Sequence, residues 1–250
     1  MDVLLYVFAG LFLPLFPLSL PFNALLARSA SRWRRALLIL LWPQIGLALA
    51  SLPERDVPAW IPALALFTAA LYALRLLAMR DVGRWLGLLA TSAWALLWLA
   101  VEAHRFEGLA LHGFALWFSL PLVGAALVTG SLESRFGAAY AGLNMALAAS
   151  LPRLSGVWVL TILAATATPL FPGFFVMLAL MGAATPIETA LLLLIWLVWS
   201  WGAARLTQGM IVGTRTPDAA ADLKLGITWL YAVAMAAAAV AGLATIEVFR

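Results

Sequence analysis

The chain contains no cysteine. That removes disulfides, thiolate metal sites, iron–sulfur ligation and cysteine nucleophiles, and says nothing about redox compartment. Charge is nearly as scarce: 10% of the 250 residues are Asp, Glu, Lys or Arg, against roughly 25% in a soluble domain. Walker A, GxGxxG, HExxH and GxSxG motifs are all missing, which excludes the common templates of soluble nucleotide, metalloprotease and hydrolase chemistry. The two histidines, His104 and His112, have only Glu102 and Glu107 as nearby carboxylates, too sparse a set for a metal site. No catalytic residue and no metal site are expected. The start, Met1-Asp2-Val3, lacks the basic region and small-residue cleavage site of a signal peptide, so the apolar run that follows is expected to be a retained helix.

What is present is apolar. Hydrophobic residues make up 65% of the chain, and the mean hydropathy is +1.04. A soluble fold could not solvate such a surface, so a lipid bilayer is the natural solvent. Twelve Trp and thirteen Phe suit a chain with many interfacial anchors. The sequence pI of about 10.1 does not indicate nucleic acid, because the basic residues sit in short loops between apolar spans rather than in a patch or arm.

Eight spans are predicted, at 3–27, 35–52, 58–79, 84–101, 109–129, 154–182, 186–206 and 223–246, each close to the ~20 residues that a hydrocarbon core requires. The fold class is therefore an all-α integral membrane protein, one polytopic domain over 1–250. The moderately apolar stretch 136–150 is too short to span and is expected to be an interfacial helix. Loops after spans one, three, five and seven hold Arg28, Arg32, Arg34, Arg35, Arg80, Arg84, Arg135, Arg153, Arg205, Arg215 and Lys224. Arg75 lies one turn inside the same face, and the opposite face has Arg55, Arg105 and Arg250. By the positive-inside rule the basic face is cytoplasmic, which puts both termini on the outer side. A ninth span would scramble this alternation.

Backbone breakers mark two of the spans. The first carries Pro14, Pro17 and Pro21, and the sixth reads Thr166-Ala167-Thr168-Pro169-Leu170-Phe171-Pro172-Gly173-Phe174. Prolines at membrane depth free carbonyls from their helix partners. Lipid cannot satisfy those carbonyls, so the break in span 154–182 must either line a wet cavity or be repaired locally, with Thr166 and Thr168 bonding back to the backbone. Ion pathways further need ionisable groups in the membrane. Deep in the spans lie Asn23, Gln44, His112, Ser119 and threonines, but no Lys, Asp or Glu. Glu188 and Arg75 lie within a turn of a span end, where snorkelling to the interface is expected.

Four landmarks, in order and at matching spacing, resemble the C-terminal half of the antiporter-like membrane subunits of respiratory complex I. The same module occurs in Mrp antiporters, membrane-bound hydrogenases and inorganic-carbon pumps. Pro21-Phe22-Asn23-Ala24-Leu25-Leu26 resembles the exit of the family's seventh helix, and Arg80-Asp81-Val82-Gly83-Arg84-Trp85-Leu86 the turn before its tenth. Gly108-Leu109-Ala110-Leu111-His112 resembles the start of the eleventh. Leu151-Pro152-Arg153-Leu154-Ser155 with Pro169-Leu170-Phe171-Pro172-Gly173-Phe174 resembles the broken twelfth. The resemblance implies that the eight spans correspond to family helices seven to fourteen, with one complete five-helix repeat over 58–206.

It also implies a proton relay that this chain largely lacks. Where the family carries a relay Lys in its seventh helix, this chain has Phe16; where it carries Lys or His in the eighth, this chain has Gln44. His112 keeps the first position of the eleventh helix, but the next two are Leu116 and Leu120, and the relay position of the twelfth is Met177. Phe, Leu and Met cannot hold a proton, and Gln cannot change charge.

Three readings follow. The chain is a charge-depleted, non-conducting scaffold or coupling subunit beside a full-length antiporter-like partner, with Trp42, Trp94, Trp98, Trp117, Trp158, Trp196, Trp199 and Trp201 as packing or interface anchors. Or it is an active part of an ion path completed by a partner chain, with Gln44, His112, Ser119, Thr166 and Thr168 lining it beside the break at Pro169, Pro172 and Gly173. Or it is an unrelated membrane enzyme or lipid-handling protein using Glu102, His104, Arg105 and Glu107. The expected location is the bacterial cytoplasmic membrane, with lipid and other membrane subunits as partners, no redox cofactor, and no enzymatic activity of its own.

Overall fold

The computed structural model describes residues 2–53, 56–103, 106, 108–142, 146–213 and 221–244. They form twelve helices: α1 (Asp2–Phe12), α2 (Leu20–Arg28), α3 (Arg32–Ala50), α4 (Trp60–Leu77), α5 (Val82–Ala95), α6 (Leu97–Glu102), α7 (Gly108–Phe136), α8 (Leu147–Ser150), α9 (Pro152–Ala165), α10 (Pro172–Ala183), α11 (Pro186–Ile211) and α12 (Leu225–Ala244). Among the described residues the one β feature is an isolated antiparallel bridge between Asp81 and Tyr140. Five stretches are long and apolar enough to cross a bilayer: Trp60–Leu77, Val82–Glu102, Gly108–Phe136, Pro186–Ile211 and Leu225–Leu243. The chain is a multi-pass, all-α membrane protein.

Helix ends follow local chemistry. Pro152, Pro172 and Pro186 open α9, α10 and α11, where a missing N–H leaves no hydrogen bond unmade. Thr185 and Glu188 form a reciprocal capping box on α11. Glu188 is thus held at a helix start, where a carboxylate also meets the favourable end of the helix dipole. Asp81 accepts from the Arg84 amide at 3.0 Å and caps α5. Asp222, just ahead of α12, accepts from the Arg153 and Leu154 amides at 3.0 Å and so caps α9 from a distant part of the chain.

Two predicted spans are each divided. The first splits into α1 and α2 around Leu13–Ser19, and the sixth into α9 and α10 around Thr166–Phe171. The sequence led us to expect one broken helix, and the structure has a second at Pro14 and Pro17. The fourth span is interrupted at Leu96, between α5 and α6, with Leu96 itself in near-helical conformation. In the stretch 136–150, expected to be an interfacial helix, the described residues are helical only at its two ends: Phe136 closes α7 and Leu147–Ser150 form α8. Between them Tyr140 pairs with Asp81, with Val82 N–H donating to Ala139 O at 3.0 Å and Ala141 N–H to Arg80 O at 2.8 Å.

The α5–α6 segment is the most enclosed span. It packs against α4, α7 and α2, while α3 lies along α7 and α1, α11 along α4, and α12 against α9 and α10. Trp85, Trp94 and Trp98 on this central segment are fully buried, as are Trp158 and Trp199. An aromatic core of this size gives large dispersion contact in a medium where lipid removes most of the hydrophobic drive between helices.

Candidate functional site: a His–Gln pair and two repaired helix breaks

The polar residues singled out in the sequence fall into three separate places. Gln44 on α3 and His112 on α7 meet face to face. The Gln44 Nε2 amide donates to the His112 backbone carbonyl at 3.2 Å, and Gln44 Oε1 lies 2.6 Å from His112 Nδ1. A carbonyl can only accept, so the amide NH2 is fixed toward it and Oε1 is fixed toward the ring. Nδ1 must then carry the proton, which leaves Nε2 as the ring atom free to exchange one. Both residues are half-buried. His112 is the fifth residue of α7 and Gln44 lies six residues before the end of α3, so the pair sits about 6–9 Å from those helix ends rather than at mid-membrane.

Ser119 lies elsewhere. It is fully buried and accepts from the Trp94 indole at 3.1 Å. Leu116 and Leu120, one and two turns on from His112, lie on its face of α7 and are each 37% exposed. The face that would extend a relay from His112 is therefore apolar and open to the surroundings of the chain. Phe16 is 36% exposed, whereas Met177 is fully buried.

At the break in span six, Thr166 Oγ1 donates to Ile162 O at 3.0 Å. Thr168 donates to Leu163 O through both its backbone N–H, at 3.2 Å, and its hydroxyl, at 2.9 Å. The Trp196 indole on α11 donates to Thr166 O at 3.0 Å. Ala167 and Leu170 adopt φ of 55° and 85° on either side of Pro169, left-handed conformations that cost side-chain-bearing residues energy. Gly173 gives the room needed here, since a Cβ would lie 3.3 Å from Ala167 Cβ and 3.7 Å from Phe118. Beside the break a groove of about 370 Å³ runs between α9 and α11, lined by Leu163, Thr166, Thr168, Ser200, Thr207 and Gln208 among others.

The break in span one is repaired in the same way. The Trp98 indole donates to Leu13 O at 3.0 Å and the Trp42 indole to Leu11 O at 3.2 Å, while Phe16 N–H donates to Thr68 Oγ1 at 3.0 Å. Sequence reasoning assigned these tryptophans to packing and missed that three of them donate to carbonyls at or beside proline breaks. The signal was available in principle, because buried indoles need acceptors and proline-freed carbonyls need donors. Reading alone could not match one set to the other.

Among the described residues the buried polar side chains, tyrosines apart, are serines and threonines: Ser19, Thr68, Thr91, Ser92, Ser119, Thr129, Ser131, Ser155, Thr161 and Thr166. Among the described residues the closest approach to an internal charge pair is Arg35 on α3 with Glu133 on α7, bonded at 2.7 and 2.9 Å near the arginine-rich end. Of the alternative cluster, His104, Arg105 and Glu107 lie outside the described residues, and Glu102 ends α6.

The chain has a polytopic, all-α membrane fold, and chains of solved membrane complexes are similar to it in fold. A chain of respiratory complex I from Thermus thermophilus with bound NADH is similar with a TM-score of 0.82 at 20% identity, over 96% of this chain and 54% of that one. A chain of the membrane-bound sulfane sulfur reductase, an archaeal respiratory membrane complex, is similar with a TM-score of 0.77 at 21% identity, over 96% and 52%. A chain of the Mrp complex from Dietzia sp. DQ12-45-1b is similar with a TM-score of 0.72 at 17% identity, over 88% and 44%. The resemblance to antiporter-like membrane subunits read from the sequence thus holds at the level of the fold. The chain spans about half the length of the chains it matches. No protein-family model and no curated protein sequence matches it.

Proposed function

We propose that the chain is a non-conducting, antiporter-like subunit of a larger proton- or cation-linked membrane complex, in which it braces or couples a full-length antiporter-like partner. The observation that carries this reading is the uncharged interior. A proton path through a protein needs groups that take and release a proton, and the relay positions here are Phe16, Leu116, Leu120 and Met177. The breaks, where a transporter would place an ion, have carbonyls engaged by Thr166, Thr168, Trp196, Trp98 and Trp42.

In the same proposal all eight predicted spans cross, the half-helices α1–α2 and α9–α10 each making one crossing. Residues 58–206 form a five-helix repeat, and the arginine-rich end faces the bacterial cytoplasm with both termini outside.

A second reading has one observation in its favour. His112 is a titratable group held in one tautomer by Gln44, on a face of α7 that a partner chain could cover. There the pair would supply one station of a path completed by that partner.

Proton flux in proteoliposomes tests the non-conducting reading. The isolated subunit is expected to give vesicles no leakier than empty ones under an imposed pH gradient. Flux from the isolated chain that His112→Ala abolishes would overturn the scaffold reading.

A further inference from the structure

A cavity of about 200 Å³ opens between α2, α4 and α5 at the arginine-rich end of the molecule. That is the room of roughly seven waters. Arg75 in the last turn of α4 and Arg84 in the first turn of α5 both line it, with Asn23 of α2. We propose that this cavity holds the headgroup phosphate of an anionic phospholipid, with phosphatidylglycerol as the best match.

The charges do not cancel within the protein. Arg75 stacks over the Tyr72 ring at 5.3 Å and has no carboxylate partner among the described residues. Arg84 has only Asp81, at 3.9 Å, beyond hydrogen-bond distance. Asp81 is also occupied, accepting from the Arg84 amide at 3.0 Å and from the Tyr140 hydroxyl. The other carboxylate nearby, Glu133, is taken by Arg35. Three guanidinium groups therefore face two carboxylates, both engaged, and Arg75 and Arg84 share a cavity without an anion between them. Two like charges around one space favour a bidentate, doubly accepting ligand, and phosphate is that ligand.

Asn23 refines the choice. Its Nδ2 donates to Thr91 Oγ1 at 2.9 Å and to Ser19 O at 3.2 Å, so both amide hydrogens are used. Its Oδ1, 2.9 Å from where a Cβ on Gly87 would sit, receives no donor among the described residues. An acceptor beside a phosphate site calls for a headgroup hydroxyl, which phosphatidylglycerol has and phosphatidylcholine lacks. The remaining wall is apolar, from Leu26, Ala27, Met79 and Leu88, and the site lies where spans end, at headgroup depth. Basic pockets between spans on this face are suited to anionic lipid. The inference stands whether or not the subunit conducts.

The test is native mass spectrometry of the detergent-solubilised chain, offered equal amounts of phosphatidylglycerol and phosphatidylcholine. Preferential retention of one phosphatidylglycerol is expected. Arg75→Gln and Arg84→Gln should each lower that retention about fivefold, and the double variant about twentyfold or more. Arg34→Gln, an exposed arginine at the same end but outside the cavity, should leave retention unchanged. Equal retention of the two lipids by the unaltered chain would overturn the proposal even if a variant fails to fold. So would an undiminished signal in the double variant. Displacement of the lipid by millimolar inorganic phosphate would assign the cavity to a free anion and overturn the lipid assignment.

Discussion

Gln44 grips His112 at two points, its amide nitrogen on the His112 carbonyl and its amide oxygen 2.6 Å from His112 Nδ1. The two residues are 68 positions apart in sequence, and the contact ties α3 to α7 near the end opposite the loop arginines. A neutral amide used this way fixes an imidazole without supplying a charge. The ¹⁵N spectrum of His112 should accordingly show Nδ1 protonated and Nε2 bare in the neutral ring. In Gln44→Leu that preference should vanish and the Nε2–H tautomer common to free imidazole should dominate. An unchanged tautomer in Gln44→Leu would show that the amide does not set it.

The indole donors at the breaks make a prediction about stability. Trp98→Phe and Trp196→Phe remove the donors to Leu13 O and Thr166 O, whereas Trp158 is fully buried with no partner for its indole nitrogen. All three substitutions lose packing, but only the first two strand a carbonyl, which costs about 1–3 kcal/mol more. Reversible unfolding in mixed micelles should rank Trp98→Phe and Trp196→Phe as more damaging than Trp158→Phe. Equal losses would mean that the carbonyls find other donors.

Close approach of α3 to the first break makes a third. A Cβ on Gly46 would lie 2.6 Å from the backbone nitrogen of Leu13 and 2.9 Å from the carbonyl carbon of Phe12. Backbone at a break held by Trp98 and Trp42 cannot give way as a side-chain tip can. Gly46→Ala should destabilise by about 1–3 kcal/mol, visible as a lower midpoint in thermal melting. Gly156→Ala, with nothing within 4 Å of the new methyl, should be neutral or slightly stabilising, since alanine is the better helix former.

The Asp81–Tyr140 contact predicts a pH effect outside the membrane spans. The Tyr140 hydroxyl donates to the Asp81 carboxylate, and this bond, aided by the carboxylate's negative charge, raises the Tyr140 pKa above its ordinary value of 10.0. Its neutral form is the one favoured in the folded state. The stabilisation is therefore fully present below the unfolded pKa and is lost as pH rises through the higher folded one. The tyrosinate absorbance missing from Tyr140→Phe should titrate above pH 10.0 in the intact protein, and at its ordinary position in Asp81→Asn.

Composition and order along the chain determined the solvent, the all-helical class and the likeness to antiporter-like folds. Each rests on local or additive quantities such as apolar run length, charge alternation and proline position. The break at Pro169 was legible for the same reason, as were Gln44 and His112 as isolated polar residues in apolar runs.

That those two residues bond each other was not legible, because contact between side chains on different helices depends on helix rotation and depth, which no run of sequence encodes alone. The same holds for the pairing of Trp98 with Leu13 and Trp196 with Thr166, for Asp222 capping α9, and for the shared cavity of Arg75 and Arg84. Sequence determined which groups needed partners. Only the tertiary structure decided which partners they received, since in an apolar medium each buried donor and acceptor must be matched in three dimensions.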